Sequence, residues 1–429
     1  MNQKFCNLFT RKSNAVAVHP LDEQREWFLL FDTVHLLKCI RNNWISEKTK
    51  TITFDDTTIG YFKDVQDLYK SEQDSILKTT PLTMSAVYPT NLQLQNVKHV
   101  INVFNDKVVA ALTLQGKIGT ANFIRQVLQM WKITNVKMKG EVERFNDPDR
   151  AVQLITSTNL QELMDLFSKS RSGYGGNRYQ SITHDTKKAL VQTMEGLQAV
   201  SKFLFETAKY QYVLLGQIQS DRIEREFSIY RQMNGSNAFM TVKDVSASFK
   251  KRLSTFSVKI LDTLLCDDSP QPSHVCKEIS FDEADGIEKV HQVSLTDQEY
   301  YAVAYVAGWI EMKTVGLTFS EEDLKIDRAK DFIMEVSRGA LIVPHISTFE
   351  LVKCGLCYMK SRRNQVCCKQ QLFGIICAMN FYYDFGEFSD ACLRRLANVL
   401  LSGLHKLEKD QEINAIMYQT SIKKARLSG

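Results

Sequence analysis

Helical periodicity over most of the chain is the feature that most limits its fold. From about residue 60 to 265, and again from 296 to 407, apolar residues recur at the spacing of a helix face, as in 189–212 and 242–265. The 429 residues include only 7 Pro and 19 Gly, which excludes collagenous, mucin-like and largely disordered classes. We therefore predict a mainly helical protein of several domains with ample core.

Charge and composition limit the partners only weakly. The 54 Lys and Arg against 49 Asp and Glu give a net charge of +5, which is too small to identify a nucleic-acid partner. No apolar run approaches the roughly 18 residues that cross a bilayer, so we expect no membrane partner. Residues 266–290 combine seven acids, two Lys and the run Ser-Pro-Gln-Pro-Ser, which predicts an exposed acidic linker.

A short apolar run ends in an acid near the start of the chain. Residues 27–34, WFLLFDTV, are typical of a buried strand that delivers Asp32 to a sheet edge, and an amphipathic helix is predicted directly after it. A further strand is predicted at 49–54, TKTITF.

A second group of acids lies far along the chain, in DRIERE. Asp221 and Glu224 are three residues apart, which places both on one helix face. With Asp32 they could hold Mg²⁺ or Mn²⁺, hard ions that bind carboxylate oxygens, and two such ions about 4 Å apart serve displacement at phosphate. The alternative is a charged, solvated helix face.

Two segments that carry these acids resemble a known family. FDTVHLLKCIRNNW and QIQSDRIEREFSIYRQMNGSNAFMTV are similar to signature segments of the P element family of DNA transposases, which includes transposases with THAP zinc fingers. The resemblance extends from about residue 19 to beyond 380 and implies that Asp32 and Glu224 are catalytic metal ligands of an RNase H-like fold. It also implies DNA as substrate, self-association and a nuclear location.

The resemblance implies a fold class that combines an α/β part with a mainly α part. A partial RNase H-like domain at 1–75 is interrupted by a helical GTP-binding-type insertion at 76–200 and resumes at 201–265; the acidic linker at 266–290 and a helical C-terminal domain at 291–429 follow. Asp32 and Glu224 are 192 positions apart, which leaves room for this insertion.

GTP is a further ligand that the resemblance implies. The candidates are Trp131 for stacking, Asn135 and Asp221 for the guanine edge, and Lys98 for a phosphate. Lys132 stands where the family has an acid, and it cannot accept the hydrogen bonds of guanine. Packing within a helix is the alternative for Trp131.

Basic residues near the two acids are candidates for a DNA-binding surface, and the alternative is solvated surface charge. They are Lys38, Arg41, Arg231, Lys250, Lys251 and Arg252. Cys354 and Cys357, with the pair Cys367 and Cys368, could bind zinc, and buried free thiols are the alternative.

The family's first catalytic Asp and its zinc finger find no counterpart in the residues before Asp32. We therefore expect an N-terminally truncated transposase core with impaired DNA cleavage and strand transfer. Two alternatives stay open, an incomplete gene model of an active enzyme and a domesticated protein that binds nucleic acid or protein partners without catalysis.

Overall fold

The computed structural model describes residues 15–19, 21–46, 51–53, 59–137, 182–210, 212–235, 239–263, 293–314, 327–336, 342–362 and 368–427. The chain divides into two compact units, the first formed by 1–215 with 279–429 and the second by 216–278. The predicted acidic linker at 266–290 lies wholly outside the described residues. The five-part domain division stays a prediction.

The described residues are mainly helical, as predicted. The helices are α1 (Thr33–Ile45), α2 (Phe62–Glu72), α3 (Met84–Val87), α4 (Val97–Val103), α5 (Asp106–Leu114), α6 (Ile118–Thr134), α7 (His184–Glu206), α8 (Asp221–Met233), α9 (Val242–Thr263), α10 (Asp297–Lys313), α11 (Asp327–Val336), α12 (Ile346–Ser361), α13 (Lys369–Tyr383) and α14 (Asp390–Leu427). Short 3₁₀ turns span Gln93–Gln95 and Leu215–Gln217.

Two antiparallel hairpins account for the β-structure of the described residues. β1 (Val16–His19) pairs with β2 (Asp22–Phe28), with Ala17 opposite Trp27 and an irregularity between Val18 and His19. β3 (Thr51–Thr53) pairs with β4 (Ile59–Tyr61). The strand predicted at 49–54 is confirmed in its central residues, whereas the RNase H-like sheet stays a prediction.

The prediction of a strand at 27–34 was wrong for the second half of this segment. β2 ends at Phe28. Asp32 is the N-cap of α1 and does not lie at a strand tip. The reason is local, because the Asp32 carboxylate accepts hydrogen bonds from backbone N–H groups of the helix's first turn, and this is the geometry that favours Asp at an N-cap.

The first unit has an aromatic core centred on Trp44 of α1. Its ring lies 4.7 Å from that of Phe123 and 5.2 Å from that of Phe62, and its Nε1 donates to the Gly60 carbonyl at 2.9 Å. A Cβ at Gly60 would lie 2.8 Å from the Phe123 ring, so only glycine permits this close approach. The contacts hold α1, β4 and α6 together.

A second cluster of buried side chains in this unit joins the C-terminal helices. It is formed mainly by α10, α12, α13 and α14, with Phe349 and Leu400 among its members. The ion pair between Lys78 and Asp410, 2.9 Å long, links α14 to the segment after α2. This arrangement explains the continuous apolar periodicity after residue 296.

Candidate metal and nucleic-acid binding residues

Asp32 is held rigidly at the start of α1. Its Oδ1 accepts from the backbone N–H groups of Val34 at 2.7 Å and His35 at 3.3 Å. Just before it, the Phe31 N–H donates to Thr193 Oγ1 of α7 at 3.1 Å. The carboxylate is half-buried at a helix N-terminus, where the helix dipole favours negative charge. Asp32 therefore offers a fixed oxygen ligand.

The buried face of α1 anchors this position. Leu37, Ile40 and Trp44 are fully buried, and the helix packs against α7 and α4. The amphipathic helix predicted after Asp32 is confirmed, and its core contacts fix the orientation of its first turn.

Glu224 lies in the first turn of α8, in the second unit. Its Oε1 accepts a hydrogen bond from Ser220 Oγ at 2.9 Å, and its side chain is exposed. The predicted helix over DRIERE is confirmed as the start of α8. The side chain of Asp221 lies outside the described residues. Because Asp32 and Glu224 belong to different units, a shared metal ion stays a prediction from the sequence.

Contacts within the second unit connect α8 to α9. Arg252 of α9 forms an ion pair with Glu226 of α8. Asn234 Nδ2 donates to the Tyr230 carbonyl at 2.8 Å and to Ser248 Oγ at 2.7 Å. These contacts fix the helix that carries Glu224 against its neighbour.

The basic candidates for DNA contact differ in exposure. Arg231, Lys250 and Lys251 are exposed, and Arg252 is partly exposed beside Glu226. In contrast, Lys38 is 9% exposed and Arg41 is fully buried, so neither contributes to an exposed basic surface. The prediction for these two was wrong because α1 is covered on more than one side.

Three of the four nucleotide candidates lie on two helices of the first unit, and Asp221 begins α8 in the second unit. Lys98 is exposed on α4, and Trp131 is partly buried against the core, which supports its packing interpretation. Asn135 caps the C-terminus of α6, and its Oδ1 is buried without a hydrogen-bond partner. Lys132 forms a 2.6 Å ion pair with Asp106, so its charge is neutralised within the protein.

Cys354 and Cys357 are buried thiols in α12. Burial raises the pKa of Cys354 to about 12 and also raises the pKa of Cys357, which disfavours the thiolate that zinc requires. Cys357 Sγ donates to the Val293 carbonyl at 3.6 Å. Cys367 lies outside the described residues, and Cys368 is exposed. The free-thiol alternative is the better supported one for Cys354 and Cys357.

Sequence reasoning missed two buried polar groups. Glu72 ends α2 and accepts hydrogen bonds from both the backbone and the side chains of Thr79 and Thr80. Arg41 is buried, and its Nε and Nη1 have no hydrogen-bond partner. The sequence signal that could have indicated them is a charged residue at a position that the helical periodicity places on the buried face.

None of the described helices combines the length and apolar character that crossing a membrane requires.

A known transposase resembles the chain over most of its length. No protein-family model matches the chain. It is 22% identical over 373 residues to the transposable element P transposase of Drosophila melanogaster, which covers 80% of this chain and 48% of that protein. It is also 28% identical over 172 residues to DNA polymerase III subunit alpha of Mycoplasma genitalium, covering 37% of this chain and 19% of that subunit.

Among solved structures, the chain is similar to the Drosophila P element transposase strand transfer complex, with a TM-score of 0.46 and 17% identity over 56% of this chain and 54% of that one. The chain spans about half the length of the transposase it matches. The chain is thus similar in sequence to the P element transposase over four fifths of its own length.

Proposed function

We propose that the chain is a DNA-binding core of a P element-type transposase, with an RNase H-like fold in which Asp32 and Glu224 bind Mg²⁺ or Mn²⁺. The observation that carries this proposal is the similarity to the P transposase over 80% of the chain. Nuclear location and self-association follow from the same resemblance and form part of the proposal.

The donor chemistry of the two acids fits a hard divalent ion. Carboxylate oxygens are the ligands that Mg²⁺ and Mn²⁺ prefer, and Asp32 is pre-oriented by its capping hydrogen bonds. When bound, such an ion would polarise a phosphodiester and activate the attacking oxygen. The role of α1 is to hold the Asp32 carboxylate in one orientation, and Ser220 does the same for Glu224.

The exposed basic residues supply the DNA contact in this proposal. Arg231 lies in the last turn of α8, and Lys250 and Lys251 lie on α9. Such side chains neutralise phosphates and release counterions, so binding should weaken steeply with salt. A scaffold that binds only protein partners would lack this dependence.

The test measures metal and DNA binding separately. Asp32→Asn and Glu224→Gln remove a charge with little change in volume, and we expect each to weaken Mn²⁺ binding, followed by electron paramagnetic resonance, by about tenfold or more. Glu206→Gln, which alters an exposed acid at the end of α7, is the control and should bind Mn²⁺ like the wild type.

DNA affinity should persist in both acid variants and fall in Lys250→Ala with Lys251→Ala. If the wild type binds Mn²⁺ no better than the acid variants, the metal proposal is wrong. If it binds no duplex DNA at about 50 mM salt, the nucleic-acid proposal is wrong and the scaffold alternative gains support.

GTP is proposed as a second ligand of the insertion region, with Trp131, Asn135, Asp221 and Lys98 as its contacts. The support is the orphan acceptor on Asn135, because the guanine edge presents N–H donors that need an acceptor. We expect GTP to bind more tightly than ATP, and Asn135→Ala to remove this preference. Equal binding of the two nucleotides by the wild type, in a fluorescence competition assay, would contradict the proposal.

A further inference from the structure

The first turn of α1 presents a histidine three residues after its acid cap. Asp32 is the N-cap, and His35 is the third residue of the helix. Residues three apart lie on the same face of a helix, and helical side chains lean toward the N-terminus, so the imidazole is directed back toward the carboxylate. A carboxylate oxygen of Asp32 and a ring nitrogen of His35 lie within 4.8 Å of each other.

Both side chains can reach a metal ion from these positions. The backbone N–H groups of Val34 and His35 hold the Asp32 carboxylate through its Oδ1. A carboxylate has about four acceptor positions, so these two hydrogen bonds leave it able to bind a metal. His35 is exposed, in contrast to its buried neighbours Val34 and Leu36, so an ion can reach the imidazole from solvent.

The distance between the two groups suits a shared ion. Ligand atoms that are each about 2.1 Å from one ion lie roughly 3–4 Å apart. A small rotation of the exposed imidazole is enough to bring its nitrogen, already within 4.8 Å of the carboxylate oxygen, to this separation. Imidazole nitrogen is a ligand of transition metals, whereas Mg²⁺ prefers oxygen ligands. A mixed nitrogen and oxygen donor set therefore discriminates between metals in a way that carboxylates alone do not.

We propose that His35 is a nitrogen ligand of the metal ion that Asp32 binds, and that it makes this site bind Mn²⁺ and Co²⁺ more tightly than Mg²⁺. This inference rests on the proposed function, because it takes metal binding by Asp32 as given. It adds to that function a further ligand and a preference among metals. His35 is thus a residue that determines metal specificity.

The test compares three metal ions on the full chain and on its His35→Ala variant, which removes both ring nitrogens from an exposed position. Titration calorimetry measures the dissociation constants of Mn²⁺, Co²⁺ and Mg²⁺. We expect His35→Ala to weaken the binding of Co²⁺ and Mn²⁺ by about tenfold or more, and that of Mg²⁺ by less than about threefold. A histidine that serves only as helix surface predicts that the two proteins bind each ion with equal affinity.

A spectroscopic measurement identifies the nitrogen ligand directly. An imidazole nitrogen bound to Mn²⁺ modulates the electron spin echo of the ion, whereas a carboxylate oxygen does not. We expect this nitrogen modulation in the wild type and its loss in His35→Ala, each saturated with Mn²⁺. His184→Ala is the matched control, because His184 is also an exposed histidine in the first turn of a helix, α7, but the N-cap before it is Thr183, which has no carboxylate. The control should keep the modulation and the wild-type affinities.

Asp32→Asn separates a failure of this inference from a failure of the proposed function. If Asp32→Asn loses Mn²⁺ binding but His35→Ala keeps the wild-type affinities or the nitrogen modulation, the metal proposal stands and the role of His35 is overturned. A wild type that binds none of the three ions overturns both. Without metal, His35→Ala and His184→Ala should unfold at the temperature of the wild type, because both histidines are exposed, so a change in metal affinity reports the lost ligand.

Discussion

At the residue scale, the buried carboxylate of Glu72 determines how the end of α2 is fixed. Its two oxygens accept hydrogen bonds from the backbone N–H groups of Thr79 at 3.0 Å and Thr80 at 3.3 Å, and from both threonine hydroxyls. Four donors therefore converge on one side chain that is 2% exposed. Such a carboxylate organises the loop after α2, since that loop's N–H groups have no helical partner.

We predict that Glu72→Gln destabilises the protein by about 1–3 kcal/mol. In the variant, an amide nitrogen would face two donor groups whose hydrogen bonds the carboxylate oxygen accepts in the wild type. At least one buried donor would then have no partner. Chemical denaturation followed by circular dichroism measures the change. Asp67→Asn on the exposed face of α2, where the partner is Lys63 at 2.6 Å, should shift the stability by less than about 0.5 kcal/mol. Equal stability of the Glu72 variant and the wild type would contradict this account.

At the scale of elements, periodicity predicted most helices, because buried faces at 3.6-residue spacing can be read from the sequence. The N-terminus of α10 illustrates the precision that is available, since Thr296 and Glu299 form a reciprocal capping box where the helix was predicted to begin. The segment before Asp32 illustrates the failure. An apolar run is compatible with a strand or an extended entry to a helix, and only the capping hydrogen bonds of Asp32 decide between them.

The candidate site was predictable in part for the same reason. The sequence predicted a helix directly after Asp32 and a helix over DRIERE, and both helices are confirmed, but Asp32 caps its helix and does not lie at the predicted strand tip. Exposure was not predictable, because the burial of Arg41 depends on elements about 50 residues away in sequence, such as the turn at Leu94. Tertiary contacts of this kind leave no local periodic signal.

At the scale of the whole molecule, buried and partly buried acids in the first unit couple its stability to pH. Burial raises the pKa of Glu72, Glu195 and Glu311 above the ordinary value of 4.5. For a raised pKa, the folded state holds its proton more tightly than the unfolded state does. The stabilising contribution is therefore complete below about pH 4.5 and is lost as the pH rises through the raised value.

Glu311 of α10 allows this coupling to be measured. Its Oε1 accepts from the His345 N–H at 2.8 Å, a hydrogen bond that the oxygen of a glutamine can keep. We predict that the unfolding midpoint of Glu311→Gln, relative to the wild type, rises as the pH increases from 5 to 8, since only the wild type is penalised for ionising the buried carboxyl. Titratable groups that do not act on Glu311 are present in both proteins, so their contribution cancels in the difference between the two midpoints. His345, whose charge favours the ionised Glu311 carboxyl, is the neighbour that also contributes to this difference. A difference that stays constant over this range, measured by differential scanning fluorimetry, would show that the carboxyl ionises in the folded state at its ordinary pKa.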